Sequence, residues 1–599
     1  MEELVKSSDH KTKPEDRIRI SQLTAYGAGG IIPIALFNIA GILVGLMGNI
    51  SLGLSAFWLG AILIVPRLWD ALSDPVIGHL SDNTRTRWGR RRPYLLLGGI
   101  AVAVTFVLIW WIPKGEMVRG WFPSESGYHW FQLGYILVTL LIFFTAVNIF
   151  EIPHGALGME MTTDYHERTR LFSAKSFVGN LFAMSTPWLF ALASLEIFKG
   201  KEGNEADGMR YVSLLIAALL IPLSVWWFTV LREPGFVKAA KHEKTPFWDD
   251  MKRSAGNRNF IMLTLTIFTL AMGFNFVQLL GSYIPIFYVF GGDKVLGARL
   301  LGINGSIWAI TGLLAVFPLN WISPKLGKRN TLTIAIFLMC VAQLSKIVCY
   351  NPTYPYLIII PTILLSIGML FFFTLGSSMV GDICDEDELK TGYRAEGSFY
   401  SIFWWFIKMG TALASFVAGL LIVLTMFDET QVTKVDSLEG SIREFHSEVK
   451  SRKEGKQAVN FENLIVNARK RSNELMSELQ IKAKADRNSK EHYQMLIRNI
   501  TGINYQLAKM NPSTPLDFMD KRLFAIEREI VFLKKQTPYT LLMMRVFEIG
   551  LPVLLSLFSI FFVLKYSLTE KRSHEIKDLL IQRNKDKLKD EEDPALLTN

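Results

Sequence analysis

The sequence predicts an all-α membrane protein with twelve transmembrane helices in two six-helix bundles and a polar helical insert before the last helix. Three observations carry this expectation. Half of the 599 residues are hydrophobic and only 20% are charged, with a mean hydropathy of +0.27, an unusual balance for a soluble chain of this length. Apolar runs such as residues 31–48, 365–376 and 553–564 sit in stretches of about 20 residues, enough to cross a hydrocarbon core of about 30 Å. Basic turns, Trp88-Gly89-Arg90-Arg91-Arg92 and Leu326-Gly327-Lys328-Arg329, recur at equivalent places in the two halves, as expected when both share one fold.

In chain order, residues 1–21 hold Lys6, Lys11, Lys13, Arg17 and Arg19 without the apolar core of a cleaved leader, and read as a cytoplasmic tail. The N-terminal bundle, 22–231, has spans expected near 22–48, 53–81, 92–113, 130–157, 170–197 and 209–231. A basic cytoplasmic linker, 232–257, follows. Helices 7–11 occupy 258–426, near 258–290, 298–322, 329–350, 354–380 and 397–426. Residues 427–537 are polar, with Leu464, Ala468, Leu475, Leu479, Leu496, Ile500, Ile503 and Leu507 at helical spacings. They read as an inserted helical domain on the non-cytoplasmic side. Helix 12 is expected at 538–566, and 567–599 form a cytoplasmic tail that is basic from Lys571 to Lys589. Because basic loops stay inside, both termini should be cytoplasmic in a multi-pass protein of a plasma or inner membrane.

The charge of +10 gathers in short loops between apolar segments, which argues for membrane orientation and against a nucleic-acid partner. No nucleophile motif, phosphate loop or dinucleotide fingerprint supports an enzyme. Cys340, Cys349 and Cys384 lack metal or haem spacing, His154 and His166 have no metal-ligand partner in register, and no cofactor is implied. The acidic run Asp382 to Glu388 lacks the glycine and spacing of a calcium loop and reads as a solvated turn pairing with Arg394 or the arginine loops.

The second span carries the chemistry. Arg67, Asp70 and Asp74 stand three and four residues apart, so they share one helix face. A mid-membrane charge costs about 2.5–3.5 kcal/mol on insertion scales, so these groups should face a partner or a hydrated cavity. Two carboxylates against one guanidinium leave one negative charge, which invites a proton or a monovalent cation. Asn148 and Glu151, just before Pro153, could complete a cation shell with a freed backbone carbonyl. Lys408 sits too deep in its span to snorkel comfortably, and Lys175 lies nearer the cytoplasmic end of its own. Asn275 and Gln278 fit either solute hydroxyls or helix–helix glue.

The run Arg67-Leu68-Trp69-Asp70-Ala71-Leu72-Ser73-Asp74-Pro75 and the arginine turn after it resemble the glycoside-pentoside-hexuronide:cation symporters, the melibiose permease family of the major facilitator superfamily. Glu151-Ile152-Pro153, Asp164 to Thr169, and Thr391-Gly392-Tyr393-Arg394-Ala395-Glu396-Gly397 leading to Lys408 extend the resemblance over all twelve spans. It implies a symporter in which Asp70 and Asp74 bind the coupling cation with Ser73, Asn148 and Glu151. The ion would be Na+ or H+, with Li+ as a third candidate. Glu151 would also serve the solute; Lys175 falls where a family arginine contacts substrate, and Lys408 where a lysine joins the two sites. Arg67, Asn275 and Gln278 complete the candidate solute contacts. The partners expected are a small polar, sugar-like solute and the lipid bilayer. Departures are the lack of an acid in the first span and Gly155 where the family has a tryptophan, which keep open a lipid-like or other anionic solute, or a receptor that does not transport.

Overall fold

The computed structural model describes residues 17–36, 39–40, 44, 48, 52, 54, 56–185, 189, 192–193, 195–199, 205–233, 247–281, 283–392, 395–453, 461–485 and 489–592, and every regular element among them is a helix. The longer helices of the first half are α1 (Ile20–Ala28), α2 (Ala56–Asn83), α3 (Arg92–Trp110), α4 (Glu125–Glu160), α5 (Tyr165–Ala183) and α6 (Glu205–Val230). The second half has α7 (Arg258–Gly281), α8 (Lys294–Leu314), α9 (Val316–Leu326), α10 (Lys328–Cys349), α11 (Ile359–Thr391) and α12 (Glu396–Leu424). Then come α13 (Glu429–Lys453), α14 (Phe461–Ala485), α15 (Lys490–Ala508), α16 (Leu516–Ile530), α17 (Pro538–Lys565) and α18 (Glu570–Glu592).

Among the described residues, eight helices are long and apolar enough to cross a membrane, or nine if α8 and α9, bent by 44°, form one span. α5 stands outside that number because Glu167, Arg168, Arg170 and Lys175 lie along it. Within the first half α3 packs on α4 and α6, α2 on α4, and α1 on α5; within the second, α7 packs on α12 and α17, and α10 on α11 and α17. The halves meet through α2 against α12 and α5 against α11, so residues on those faces decide what lies between the bundles.

Asp164 starts α5 by accepting the His166 and Glu167 amides at 3.0 Å each, which satisfies donors that a helix start otherwise leaves open. α11 ends at Gly392, whose φ of 76° suits glycine and whose amide closes on the Glu388 carbonyl at 2.8 Å. α11 therefore runs past the expected end at 380. The acidic run Asp382 to Glu388 is helix, and Asp382 and Asp385 are buried, because basic partners from other elements meet them there. The solvated turn inferred from composition is corrected accordingly. Arg394 lies outside the described residues.

The insert has its own core. α13 packs on α14 and α16, and α15 on α14 and α16, closing a four-helix bundle. Val435, Leu438, Ile442, Phe445, Leu475, Ile500, Leu523 and Ile526 are fully buried in it, and each such side chain contributes about 1.5–3 kcal/mol. Its two ends lie side by side, since the Asp428 amide donates to Gln536 Oε1 at 2.9 Å and Thr540 Oγ1 donates to the Met426 carbonyl at 3.1 Å. Replacing residues 429–535 by a short Gly/Ser linker is therefore expected to leave the spans folded, with solute uptake kept within several-fold of the parent. A correctly inserted deletion protein that binds no solute would show that this bundle builds part of the solute site.

Candidate cation and solute site

α2 and α12 cross where their buried charges meet. Asp70 and Asp74 are 1% and 0% exposed, one turn apart on α2, and both face Lys408 of α12. Lys408 Nζ donates to Asp74 Oδ2 at 2.7 Å and to Asn148 Oδ1 at 3.2 Å, and lies 3.1 Å from Asp70 Oδ2. Asn148 of α4 donates in turn to Asp70 Oδ1 at 2.6 Å and to Ser73 Oγ at 3.2 Å. The ammonium thus sits among three oxygens from two helices of the other half. Pro75 has no N–H for the Ala71 carbonyl, so the turn of α2 beside the acids keeps an acceptor that a continuous helix would use. Asp74 Oδ1 is buried with no hydrogen-bond partner among the described residues, an acceptor left over after Lys408 has taken Oδ2.

Glu151, buried on α4, is within electrostatic reach of Lys175, Lys408 and Asp70. Lys175 of α5 is also buried, and its Nζ donates to the Tyr400 hydroxyl of α12 at 3.1 Å. Tyr400 was not singled out by spacing or charge; Gly155 is the signal that could have found it. A Cβ at Gly155 would lie 2.1 Å from the Tyr400 ring, so the missing side chain is what admits the tyrosine. The ring fills the place where a tryptophan at 155 would stand. In the first span, whose region 26–34 holds no acid, Tyr26 of α1 stacks on His154 with ring centroids 4.3 Å apart, and His154 Nε2 meets the Tyr26 carbonyl at 3.1 Å.

The structure therefore brings together Asp70, Ser73, Asp74, Asn148, Glu151 and Lys408, with Lys175 on the same side of the bundle interface. Two candidates lie elsewhere. Asn275 donates to the Thr411 carbonyl at 2.6 Å and joins α7 to α12, and Gln278 is exposed. The side chain of Arg67 lies outside the described residues.

A second set of charges closes the end that carries the basic turns. Arg90 and Arg91 reach Glu396 Oε2 at 3.0 and 2.8 Å, Arg91 reaches Asp82 at 3.0 Å, and Arg90 reaches Glu160 at 3.1 Å. Asp82 also accepts the Gly397 and Ser398 amides at the start of α12. Related to this by the two-fold repeat, Lys328 at the start of α10 reaches Asp382 at 2.7 Å, and Arg168 of α5 reaches Asp382 at 2.5 Å and Asp385 at 2.7 Å. Both networks tie one half to the other. The halves are thus clamped at the basic end in this conformation.

The sequence profile of a family described as MFS/sugar transport protein matches residues 25–445. The chain is 27% identical over 374 residues to the uncharacterized symporter YnaJ of Bacillus subtilis (strain 168), covering 62% of this chain and 75% of the relative. It is 28% identical over 377 residues to an isoprimeverose transporter of Lactiplantibacillus pentosus, covering 62% and 73%. Among solved structures, a bacterial homologue of the iron transporter ferroportin in an outward-facing state superposes with a TM-score of 0.52 at 12% identity, over 67% of this chain and 93% of that one, a likeness of fold alone.

Proposed function

This chain belongs to the MFS/sugar transport protein family and is a multi-pass membrane transporter, and from that premise we propose that it is a secondary active symporter coupling Na+ or H+ to uptake of a sugar or glycoside-like solute. The observation that carries the coupling is the seat of Lys408. Its ammonium, supplied by the second half, occupies the oxygen cluster of Asp70, Asp74 and Asn148 from the first. Among the described side chains, three carboxylates, Asp70, Asp74 and Glu151, face two ammonium groups, Lys408 and Lys175, a balance that leaves one negative charge for one monovalent cation.

A cation that binds the carboxylates displaces Lys408 from them. The freed ammonium turns to solute oxygens between the bundles, and Lys175 with Tyr400 supplies a second donor pair. Cation and solute affinities then rise together, because each stabilises the arrangement the other needs. The basic end faces the cytoplasm in this reading, both termini with it, and alternating access requires the two clamps there to part. The solute class rests on the family and on the polar character of the site.

Uptake into vesicles of glycosides, uronates and lysolipids, each under separate sodium and proton gradients, tests the reading. Saturable accumulation of a glycoside or uronate driven by one gradient is expected; lysolipid uptake, or binding without uptake, would overturn it. In the parent the coupling ion should raise solute affinity roughly 5–150-fold, and in Lys408→Gln that ratio should fall towards one. An unchanged ratio removes Lys408 from coupling.

A further inference from the structure

We propose that His166, Glu570 and His574 form a site for one divalent ion of the zinc class, which pins the C-terminal helix across the basic end. The imidazoles and the carboxylate come from segments about 400 residues apart in the chain, joined only by the fold. His166 is in the first turn of α5, in the first half; Glu570 and His574 are one turn apart on one face of α18. His166 Nε2 lies 3.2 Å and His574 Nε2 3.9 Å from Glu570 Oε1, and one ligand atom from each residue lies within 4.8 Å of the others.

Two imidazoles and a carboxylate match a donor set that zinc uses with a fourth position left to water. Tetrahedral bonds of about 2.0–2.2 Å place ligand atoms roughly 3.3–3.5 Å apart, so one edge is already formed and the others close by about an ångström of side-chain rotation. Their side chains are 14%, 18% and 17% exposed, open enough for an ion to arrive and desolvated enough to hold it. The carboxylate has a seat of its own: Glu570 Oε2 rests against Gly327, where φ is 76° and a Cβ would come within 3.2 Å of it.

The helix that bears two of the ligands is docked on both halves. Ile576 and Leu580 are buried in the main core, Lys577 lies 3.5 Å from Asp164, and Arg583 Nη1 donates to the Glu388 and Leu389 carbonyls at 2.9 and 3.2 Å. An ion bridging α5 to α18 therefore adds a link between the halves beside the Arg168 clamp. Occupied, it holds the basic end shut and slows turnover, a consequence that rests on the transport reading above.

Binding is tested apart from transport, on the purified full chain with any polyhistidine tag removed. Titration with Co2+ should show the visible absorption of a four-coordinate ion, displaced by Zn2+, at one ion per chain. His166→Gln and His574→Gln should each weaken binding by at least ~100-fold, beyond the 10–100-fold that outer-sphere changes cost. Zn2+ should raise the thermal unfolding midpoint of the parent and leave that of His166→Gln unmoved. Absence of saturable binding, or binding that persists in the double variant, would overturn the site and leave an acid–imidazole contact. If the ion binds as described but transport is insensitive to it, the site stands and the slowing does not.

Discussion

Asp74→Asn is expected to abolish accumulation of solute above equilibrium while leaving solute exchange across the membrane in place. The substitution preserves shape and one hydrogen bond to Lys408 but removes the carboxylate that the ammonium meets at 2.7 Å. Among the described side chains two carboxylates then face two ammonium groups, and they offer no net negative charge to draw a cation into a buried site. Asp70→Asn should act the same way, with Asn148 losing a charge-assisted bond as well. Gradient-driven uptake and counterflow, measured in the same vesicles, separate lost coupling from lost folding. Should both variants concentrate solute like the parent, the pair is structural and the cation site lies elsewhere.

Glu396→Gln is expected to open the basic end. Glu396 is fully buried, and one of its oxygens holds both Arg90 and Arg91, so the change keeps an acceptor but removes the negative charge that the two guanidinium groups share across the halves, leaving Arg91 to Asp82 and Arg90 to Glu160 of the first half. Removing one partner of a buried ion pair costs up to about 3–5 kcal/mol, less here because both arginines keep a carboxylate, and the cost falls on the conformation in which Glu396 meets them. In a background lacking Cys340, Cys349 and Cys384, a cysteine at the buried position Ser398 reports the opening. Its alkylation should accelerate at least ~10-fold in Glu396→Gln, the rate change that about 1.4 kcal/mol already produces. Equal rates in the two backgrounds would show that Asp82 and the Arg168 network suffice to hold the end closed.

Much of the site was legible because a charge inside an apolar run has few bland explanations. Asp70, Asp74 and Lys408 each announced an inward-facing position from solvation cost alone, and helical spacing put the two acids on one face. What spacing could not supply was the pairing between α2 and α12, more than 300 residues apart. Asn275 illustrates the limit: an amide in a span suits a solute or a backbone carbonyl equally, and packing of α7 on α12 gave it the Thr411 carbonyl. Tyr400 was missed because an aromatic in an apolar helix carries no signal of its own until Gly155 is seen to make room for it.

By itself the sequence determined the solvent the protein lives in, the all-helical class, the repeat of two halves and the residues whose charge demanded a partner. These follow from local properties: run length against bilayer thickness, charge against hydrocarbon, and the positions of basic turns. Tertiary structure alone decided the partners. It buried the acidic run of α11 against Arg168 and Lys328, where composition read a solvated turn, and it carried Glu570 and His574 to His166, for which no partner stood in register. The reason is physical: desolvation sets how strongly a buried charge needs a counter-charge, but only the packing of α2 on α12 and of α5 on α11 and α18 sets which one comes within reach.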